Sequence, residues 1–460
     1  MDMTEESSNN TNAGKGFTSS FGVVMAAAGS AVGLGNIWRF PYICGKYGGG
    51  AFLLVYILFV FLIGMTMMMS EFVIGRRSQH SPLKAYTSLH HKKSWGLVGV
   101  FGIITCFLIL AVYLIISGWT LNYFWEALTG TLAAVDPNGF GDHFAAFAAS
   151  TWRPVIFLSV FLLLTLLVIL GGVEKGIEKV SKLLMPILLV LLLVLCVRSL
   201  TLPGASKGLD YLFNPDFSKL GWEGLLAALG QALFSLSVGM GAMVVYGSYI
   251  PKDDNILKNS MWITACDFGV ALLSGIAIFP AVFACGENPA GGPGLVYQVL
   301  PGVFQSMGAL GNIFAIIFFL LLSLAALTSA ISLLEALTAS ATDFGHKRTP
   351  MAILFSLLVV VLAACGSFSF DNGIWSSSTL AGKTLYNWLD LLSGAYLPPI
   401  CALLTVIFFG WAMNKEDIKD ELSNHGTLKI GYFKVFYYFL IRFVAPIALL
   451  FVLISGIFGA

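Results

Sequence analysis

Eleven long runs of apolar residues constrain this chain more than any other feature of its sequence. A helix that crosses a lipid bilayer needs about 20 mainly apolar residues, and the runs are close to or above that length. Charged residues make up only 11% of the chain, which favours lipid over water as the solvent for most of it. The sequence therefore predicts an all-α polytopic membrane protein. The runs cover 17–45, 50–75, 96–128, 152–171, 178–199, 221–249, 255–285, 308–342, 350–366, 383–413 and 430–458.

The distribution of Lys and Arg predicts the orientation of these runs. Positive residues concentrate in cytoplasmic segments of membrane proteins. With the N-terminus inside, seventeen Lys and Arg residues fall in inner segments, whereas the outer loops hold few, among them Arg153, Arg198, Lys207, Lys219 and Lys383. We therefore expect a cytoplasmic N-terminus and, after eleven spans, an extracellular C-terminus.

Composition excludes several other classes of protein. The net charge of +1 gives no indication of a nucleic-acid partner. The seven cysteines stand singly, without the spacing of a metal site or a disulfide framework. The six histidines fall in predicted loops, which argues against a membrane enzyme. Residues 1–16 are polar and include Glu5 and Glu6, so they predict a disordered cytoplasmic tail.

Two of the runs contain matching interruptions. Val32-Gly33-Leu34-Gly35 in the first run corresponds to Val238-Gly239-Met240-Gly241 in the sixth, five spans later. Paired interruptions of this kind mark the binding site of transporters built from inverted repeats. We therefore expect a five-helix repeat over 17–199, an inverted second repeat over 221–413, and an additional helix over 430–458, with helices 1 and 6 broken.

Breaking a helix inside a bilayer exposes backbone groups that must find new partners. Free carbonyl oxygens suit Na⁺, and the N-termini of half-helices suit a carboxylate. An amino acid with sodium beside it meets both needs. The alternative is that the glycines only allow close helix packing. A dinucleotide site is disfavoured, because no third glycine or βαβ unit accompanies Gly33 and Gly35.

The residues around the first interruption also carry a family resemblance. The run Gly29–Pro41 (GSAVGLGNIWRFP) and its continuation Gly48–Phe52 resemble the helix 1 signature of the neurotransmitter:sodium symporter family, particularly of its bacterial amino-acid transporters. Sodium-coupled amino-acid import by alternating access is what this resemblance implies. Further matching segments are 172–186, 231–249, 325–329 and 390–394.

Two sodium sites follow from the resemblance. The first would use the Ala31 carbonyl and the side chains of Asn36, Ser235 and Asp267, completed by the substrate carboxylate. The second would use the carbonyls of Gly29, Val32 and Ala325 and the hydroxyls of Thr328 and Ser329. For the two hydroxyls, the alternative is bonding to the carbonyls of their own helix.

A substrate site also follows from the resemblance. The N–H groups near Leu34 and Gly35 and the Tyr113 hydroxyl would hold the substrate carboxylate, although an intramembrane tyrosine can also serve packing alone. Transporters of monoamines in the family carry Asp where this chain has Gly33, so we expect a substrate with a carboxylate rather than a monoamine. The apolar residues of the pocket, with the adaptable Met240, favour a hydrophobic or aromatic amino acid. The rest of the site would be formed by Ser30, Ile109, Phe234, Ser237, Met240 and Leu333.

Asp267 lies within an apolar helix, where charged groups are functional candidates by default. It could supply the negative charge that chloride supplies in many animal members of the family. We therefore expect chloride-independent transport, with proton counter-transport as a further expectation. The alternative is a structural, paired aspartate.

The resemblance also implies gates and a flexible segment. Arg39 and Asp390 match the outer gate, whereas Tyr249 and Asp343 match inner-gate positions. The usual inner arginine falls on Gly14, with Lys15 as the candidate substitute. Further predictions concern Glu71 as an acceptor for the broken part of helix 1, Glu335 as an interior hydrogen-bonding or protonatable group, and an unwinding segment between Gly176 and Pro186.

A channel and a non-transporting amino-acid receptor stay open as alternative functions. A channel predicts a pore with rings of charge or carbonyls, for which single-copy broken helices give no support. The outer loop over 129–151 is short and lacks the Cys pair and the glycosylation-rich insert that animal members of the family usually carry. We therefore expect a multi-pass protein of a bacterial inner membrane.

Overall fold

The computed structural model describes residues 16–286, 294–371 and 373–458, and regular structure in these ranges is helical apart from two isolated β-bridges. Nine continuous helices in the described ranges are long and apolar enough to cross a bilayer, and one bent pair forms a tenth span. The sixth predicted run is divided between two shorter helices. The predicted tail, except for Gly16, lies outside the described residues, as do Gly14 and Lys15.

The spans follow the predicted runs in chain order. They are α1a (Ser20–Ala31), α1b (Gly35–Lys46), α2 (Gly50–Ser78), α3 (Lys93–Thr129), α4 (Arg153–Leu170), α5 (Val173–Leu200), α6a (Gly221–Ser235), α6b (Ala242–Tyr249), α7 (Ile256–Ala284), α8 (Gly311–Thr342), α9 (Arg348–Ser369), α10 (Leu385–Ala412) and α11 (Gly431–Gly456). Short helices connect some of them, at Pro82–Leu89, Phe140–Ala149, Ala205–Phe213, Leu300–Ser306 and Lys415–Leu422.

The predicted fold class is confirmed, and the largest boundary difference is at α5. This helix begins at Val173, whereas the apolar run predicted a start at 178. Its first turns form a π-helical segment, Val173–Glu178, that follows Gly172 in a backbone conformation with φ 78° and ψ −171°. The charged residues Glu174 and Lys175 conceal this part of the helix from a hydropathy argument.

Helix 1 is broken at the predicted position. The helix α1a ends because Val32 adopts an extended conformation with ψ 102°, and α1b continues at an angle of 48°. Gly33 is required for close approach, since a Cβ there would lie 2.3 Å from Ser329 Oγ and 2.5 Å from Tyr113 OH. Close helix packing, the alternative explanation for the glycines, therefore also applies to Gly33.

Helix 6 is broken by a different use of glycine. Between α6a and α6b, Gly239 and Gly241 have φ of 77° and 82°, in the left-handed region that side chains rarely adopt. Ser237 shares this region with φ 54°, which makes it a strained non-glycine position. The matching Gly-x-Gly runs thus provide close contact in helix 1 and unusual backbone torsion in helix 6.

The spans differ in how much they contact protein rather than lipid. In its most apolar stretch, α3 is 67% buried inside the protein, whereas α11 is 22% buried. The helices α4, α5 and α9 are intermediate at 33% each. The helices α2, α7 and α8, at 61%, 56% and 61%, therefore form much of the protein interior together with α3.

The packing of α2 against α6b depends on Gly75. A Cβ at Gly75 would lie 2.0 Å from the Val244 carbonyl oxygen and 2.8 Å from the Ser248 nitrogen, both backbone atoms that cannot rotate away. We expect Gly75→Ala to lower the free energy of unfolding by about 1–3 kcal/mol, measured as a lower thermal midpoint of the detergent-purified protein. Gly230→Ala is the control, because a Cβ there meets no atom within 4 Å. Equal midpoints for the two variants would contradict the close contact.

Candidate functional site

A buried polar cluster joins the break in helix 1 to α6a and α7. The Asn36 amide donates to Asp267 Oδ1 at 2.7 Å and to the Asp267 carbonyl at 3.0 Å. Ser235 Oγ lies 2.7 Å from each carboxylate oxygen of Asp267 and 3.1 Å from Asn36 Nδ2. The structure therefore brings together the three side chains predicted for the first sodium site, and Ala31 lies at the adjoining end of α1a.

The Asp267 carboxylate is fully buried and its partners are neutral. Tyr56 adds a hydroxyl 3.5 Å from Oδ2 and 3.1 Å from Ser235 Oγ, but no Lys, Arg or His of the described ranges lies within 4 Å of this carboxylate. A buried charge is costly unless a counter-charge compensates it. Oxygen atoms arranged around an uncompensated carboxylate suit a hard cation such as Na⁺.

Sequence reasoning missed two members of this cluster. Tyr56 on α2 and Gln231 on α6a are both fully buried, and Gln231 Nε2 donates to the Gly35 carbonyl at 2.7 Å. The available signal was weak, because each is a single polar residue in an apolar run. Gln231 Oε1 has no hydrogen-bond partner among the described residues, so it remains available as an acceptor.

The predicted second sodium site lies between α1a and α8. Thr328 Oγ1 is 2.9 Å from the Ala325 carbonyl and 3.5 Å from the Val32 carbonyl. A Cβ at Gly29 would lie 3.3 Å from Thr328 Cβ, so these predicted residues surround one point. Thr328 also donates to a carbonyl of its own helix, which was the alternative to a role in sodium binding. Ser329 Oγ donates instead to the carbonyl of Ser30 at 3.0 Å.

A small cavity of about 20 Å³ separates the two clusters. Leu34 lies between two lining residues, Gly33 and Gly35, and its N–H donates to Tyr113 OH at 2.9 Å, so Tyr113 has a polar contact at the break rather than packing alone. Eight of the nine residues predicted for the substrate site line the cavity, and Leu34 is the ninth. The cavity lining is Ser30, Ala31, Gly33, Gly35, Ile109, Tyr113, Phe234, Ser237, Met240, Ser329 and Leu333.

A vestibule of about 530 Å³ adjoins this cavity, since Ile109, Tyr113 and Phe234 line both spaces. The guanidinium of Arg39 lies over the Phe234 ring, 4.7 Å from its centroid. Asp390 lines the same vestibule, but no ion pair within 4 Å joins it to Arg39. The predicted outer-gate residues therefore face one space without being paired in this conformation.

The side of the protein beyond the cavity is closed by polar contacts around the buried carboxylate of Glu335. Tyr249 OH donates to Glu335 Oε1 at 2.6 Å, and Arg348 forms an ion pair with the same carboxylate. The Phe17 N–H donates to the Tyr249 carbonyl at 3.1 Å. Glu335 is thus an interior hydrogen-bonding group, as predicted, and Arg348 is a partner that the sequence did not indicate.

The two residues at the predicted inner-gate positions are not bonded to each other, and the expectation for Glu71 needs correction. Asp343 does not bond to Tyr249; it accepts a hydrogen bond from the Ser81 N–H at 2.5 Å, because the end of α8 lies beside the start of the helix Pro82–Leu89. Glu71 was expected to serve the break in helix 1, but its Oε1 accepts from the Gly239 N–H at 2.7 Å, in the break of helix 6. The α2 segment that carries Glu71 packs on α6b, which explains the difference.

Comparisons with known proteins agree with this geometry. The sequence profile of the Sodium:neurotransmitter symporter family matches residues 15–138 and 147–459. The chain is 39% identical over 440 residues to an uncharacterized sodium-dependent transporter of Bacillus subtilis, YhdH, covering 95% of this chain and 97% of that protein. It is 32% identical over 448 residues to an uncharacterized sodium-dependent transporter of Haemophilus influenzae, covering 95% and 96%.

A solved structure is also similar along nearly the whole chain. The crystal structure of MhsT in complex with L-phenylalanine superposes with a TM-score of 0.88 at 41% sequence identity. The match covers 96% of this chain and 99% of MhsT. At this level of identity the likeness extends to the arrangement of the helices around the two breaks.

The buried carboxylate should determine the response of the protein to sodium. We expect Na⁺ to raise the thermal midpoint of the purified protein in chloride-free buffer, and Asp267→Asn to remove most of this rise, because the variant no longer offers a negative charge to the cation. Asp210→Asn is the control, since Asp210 is an exposed carboxylate on a short connecting helix. A full sodium response in Asp267→Asn would exclude Asp267 as a ligand.

Proposed function

The chain belongs to the Sodium:neurotransmitter symporter family, and from this premise we propose that it imports hydrophobic and aromatic L-amino acids together with Na⁺ by alternating access. It is a sodium-dependent, multi-pass membrane transporter and not an enzyme. The observation that carries the proposal is the cavity at which both helix breaks meet α3 and α8, with a buried polar cluster on either side. The alternatives are an ion channel and a non-transporting amino-acid receptor on the same scaffold.

The lining of the cavity supports the substrate class. Ile109, Phe234, Met240 and Leu333 supply apolar surface, and Met240 is a flexible side chain that can adapt to different shapes. The contacts of Gly33 leave no room for the aspartate that would hold an amine. L-Phenylalanine bound to MhsT is consistent with this choice.

Two sodium ions are proposed, one at each polar cluster. The first ion would bind beside Asp267, and the substrate carboxylate would complete its ligands. The second would bind between the Val32 carbonyl and the Thr328 hydroxyl. Because Asp267 already supplies a negative charge, we propose that transport does not require chloride, and that a proton on Asp267 balances the charge when sodium leaves.

We also propose the arrangement of the chain in the membrane. The distribution of Lys and Arg places the N-terminus in the cytoplasm and the C-terminus outside a bacterial inner membrane. In this orientation the vestibule faces outward and the contacts of Tyr249, Glu335 and Arg348 close the cytoplasmic side. Residues 17–199 and 221–413 form the two inverted repeats of the proposal, followed by α11.

Uptake into proteoliposomes tests the function. An inward Na⁺ gradient should drive accumulation of radiolabelled L-phenylalanine, and unlabelled hydrophobic and aromatic amino acids should compete. Replacement of external chloride by gluconate should leave uptake unchanged, whereas replacement of Na⁺ by K⁺ should abolish it.

Three other outcomes of this assay contradict the proposal. Binding without accumulation would indicate a receptor, and sodium flux far above substrate flux would indicate a channel. Competition by acidic or cationic amino acids alone would contradict the substrate class.

The Tyr113 hydroxyl tests how the substrate carboxylate is held. We expect Tyr113→Phe to weaken sodium-dependent substrate binding at least about tenfold, the effect of losing one hydrogen bond to a charged group. The matched control is Tyr123→Phe on the same helix, because the buried Tyr123 hydroxyl has no partner among the described residues. Similar affinities for both variants, measured by equilibrium binding, would exclude Tyr113 from the site.

A further inference from the structure

Two positive side chains lie in one row along α11. Lys434, Tyr438 and Arg442 are spaced by four residues, so successive turns of the helix bring them to the same face. The Arg442 guanidinium lies over the Tyr438 ring, 4.8 Å from its centroid, and Lys434 Nζ lies 5.9 Å from the same centroid. Trp411 of α10 places a second ring beside the guanidinium, with its centroid at 5.6 Å. We call these four residues the basic cluster.

Neither positive charge of the basic cluster is compensated by a carboxylate of the described residues. No carboxylate oxygen of these ranges lies within 4 Å of Arg442 or Lys434, and Arg442 Nε and the Tyr438 hydroxyl have no hydrogen-bond partner there. Three carboxylates of the connection that precedes α11 pair instead with the arginines of α2; they are Asp417, Asp420 and Glu421. Two like charges beside one ring repel each other, so the cluster is suited to an anion.

The basic cluster lies close to one end of α10. A Cβ at Gly410 would lie 3.1 Å from Arg442 Cγ, so the stem of Arg442 crosses α10 at a residue without a side chain. Further along, a Cβ at Gly456 would lie 3.1 Å from the Ala395 carbonyl oxygen, which shows that the two helices run antiparallel. Since α10 ends at Ala412, Arg442 lies within about one helical turn of the level at which that helix ends.

The same part of the two helices faces the bilayer. Trp411 is 62% exposed and Phe443 is 49% exposed, and their ring centroids are 5.9 Å apart, so both present apolar surface that the described protein does not cover. Trp and Tyr are enriched where the hydrocarbon of a bilayer meets the lipid headgroups. Long cationic side chains near the end of a span extend toward these headgroups. The basic cluster therefore lies within reach of both lipid tails and charged headgroups.

We propose that the basic cluster binds the headgroup of an anionic phospholipid. The headgroup phosphate accepts hydrogen bonds from the Arg442 guanidinium, whose planar fork matches phosphate oxygens, and Lys434 adds a second positive charge. The acyl chains pack against the exposed rings of Trp411 and Phe443. A soluble anion would gain nothing from these rings, which favours a lipid as the source of the phosphate. In the proposed orientation the lipid belongs to the cytoplasmic leaflet, and the inference goes beyond transport, since no residue of the cavity takes part.

Arg442→Gln in the full-length protein is the principal test, with Lys207→Gln as the control. Lys207 is exposed on the short helix Ala205–Phe213, so both variants remove one positive charge. Delipidated protein is mixed with equal amounts of phosphatidylglycerol and phosphatidylcholine, and native mass spectrometry measures the ratio of the two lipids that stay bound. We expect Arg442→Gln to lower this ratio about fivefold, the effect of one positive charge near an anionic lipid surface, and Lys207→Gln to keep the wild-type ratio. An unchanged ratio in Arg442→Gln would overturn the proposal.

Lys434→Gln approaches the basic cluster from its second cation, and it covers the case in which Arg442→Gln does not fold. It should lower the bound ratio of phosphatidylglycerol to phosphatidylcholine in the same direction, because the headgroup loses one of its two positive neighbours. Lys207→Gln is again the matched control, since it makes the same substitution at an exposed lysine outside the cluster. Equal ratios in Lys434→Gln and Lys207→Gln would count against a site that uses both cations.

Thermal midpoints separate a lipid site from a site for a soluble anion. Phosphatidylglycerol should raise the midpoint of the wild-type protein in detergent more than phosphatidylcholine does, whereas inorganic phosphate at the same concentration should leave it unchanged. An equal rise with inorganic phosphate would indicate a soluble ligand, and an equal rise with phosphatidylcholine would indicate packing of acyl chains alone; either result would overturn the proposal. The measurement needs neither Na⁺ nor an amino acid, so it remains informative if the proposed function itself fails.

Discussion

Backbone groups at two breaks in the middle of the membrane determine how this protein is built, since lipid offers them no partners. Each break is met by a polar side chain from a neighbouring helix. At the first break, Tyr113 accepts from the Leu34 N–H and Gln231 donates to the Gly35 carbonyl. At the second, Glu71 accepts from Gly239. These contacts keep both breaks ordered beside one cavity, which a flexible loop could not do.

Buried charge distinguishes the site from the rest of the protein. Asp267 and Glu71 are buried carboxylates without an ion-pair partner within 4 Å in the described ranges. Glu71 lies on the break of helix 6, whereas Asp267 has oxygen atoms around it and the end of α1a beside it. The other buried carboxylates each pair with Lys or Arg; they are Glu126, Glu178, Glu335 and Glu421. Of these two carboxylates, Asp267 is therefore the one that we propose as a cation ligand.

Hydropathy and glycine placement were sufficient to predict the spans and both breaks, because these depend on local composition. The family resemblance supplied the residues around the cavity, which the structure brings together. The start of α5 was missed because Glu174 and Lys175 interrupt its apolar run. Arg348 as the partner of Glu335, and Gly239 as the partner of Glu71, could not be predicted, since both depend on how distant helices pack. A carboxylate within an apolar run of the sequence indicates that the folded protein supplies a partner for it, but the sequence does not show which residue that partner is.

The two sides of the cavity differ in their polar contacts. On the side of the vestibule, which faces outward in the proposed orientation, Arg39 and Asp390 are unpaired with each other and a space of about 530 Å³ remains. On the opposite side, the Arg348–Glu335 pair and its bond to Tyr249 close the protein, with Glu335 fully buried and Arg348 26% exposed. A membrane potential of 100 mV contributes about 2.3 kcal/mol per positive charge. Two sodium ions, as proposed, would contribute about twice this energy toward opening the closed side.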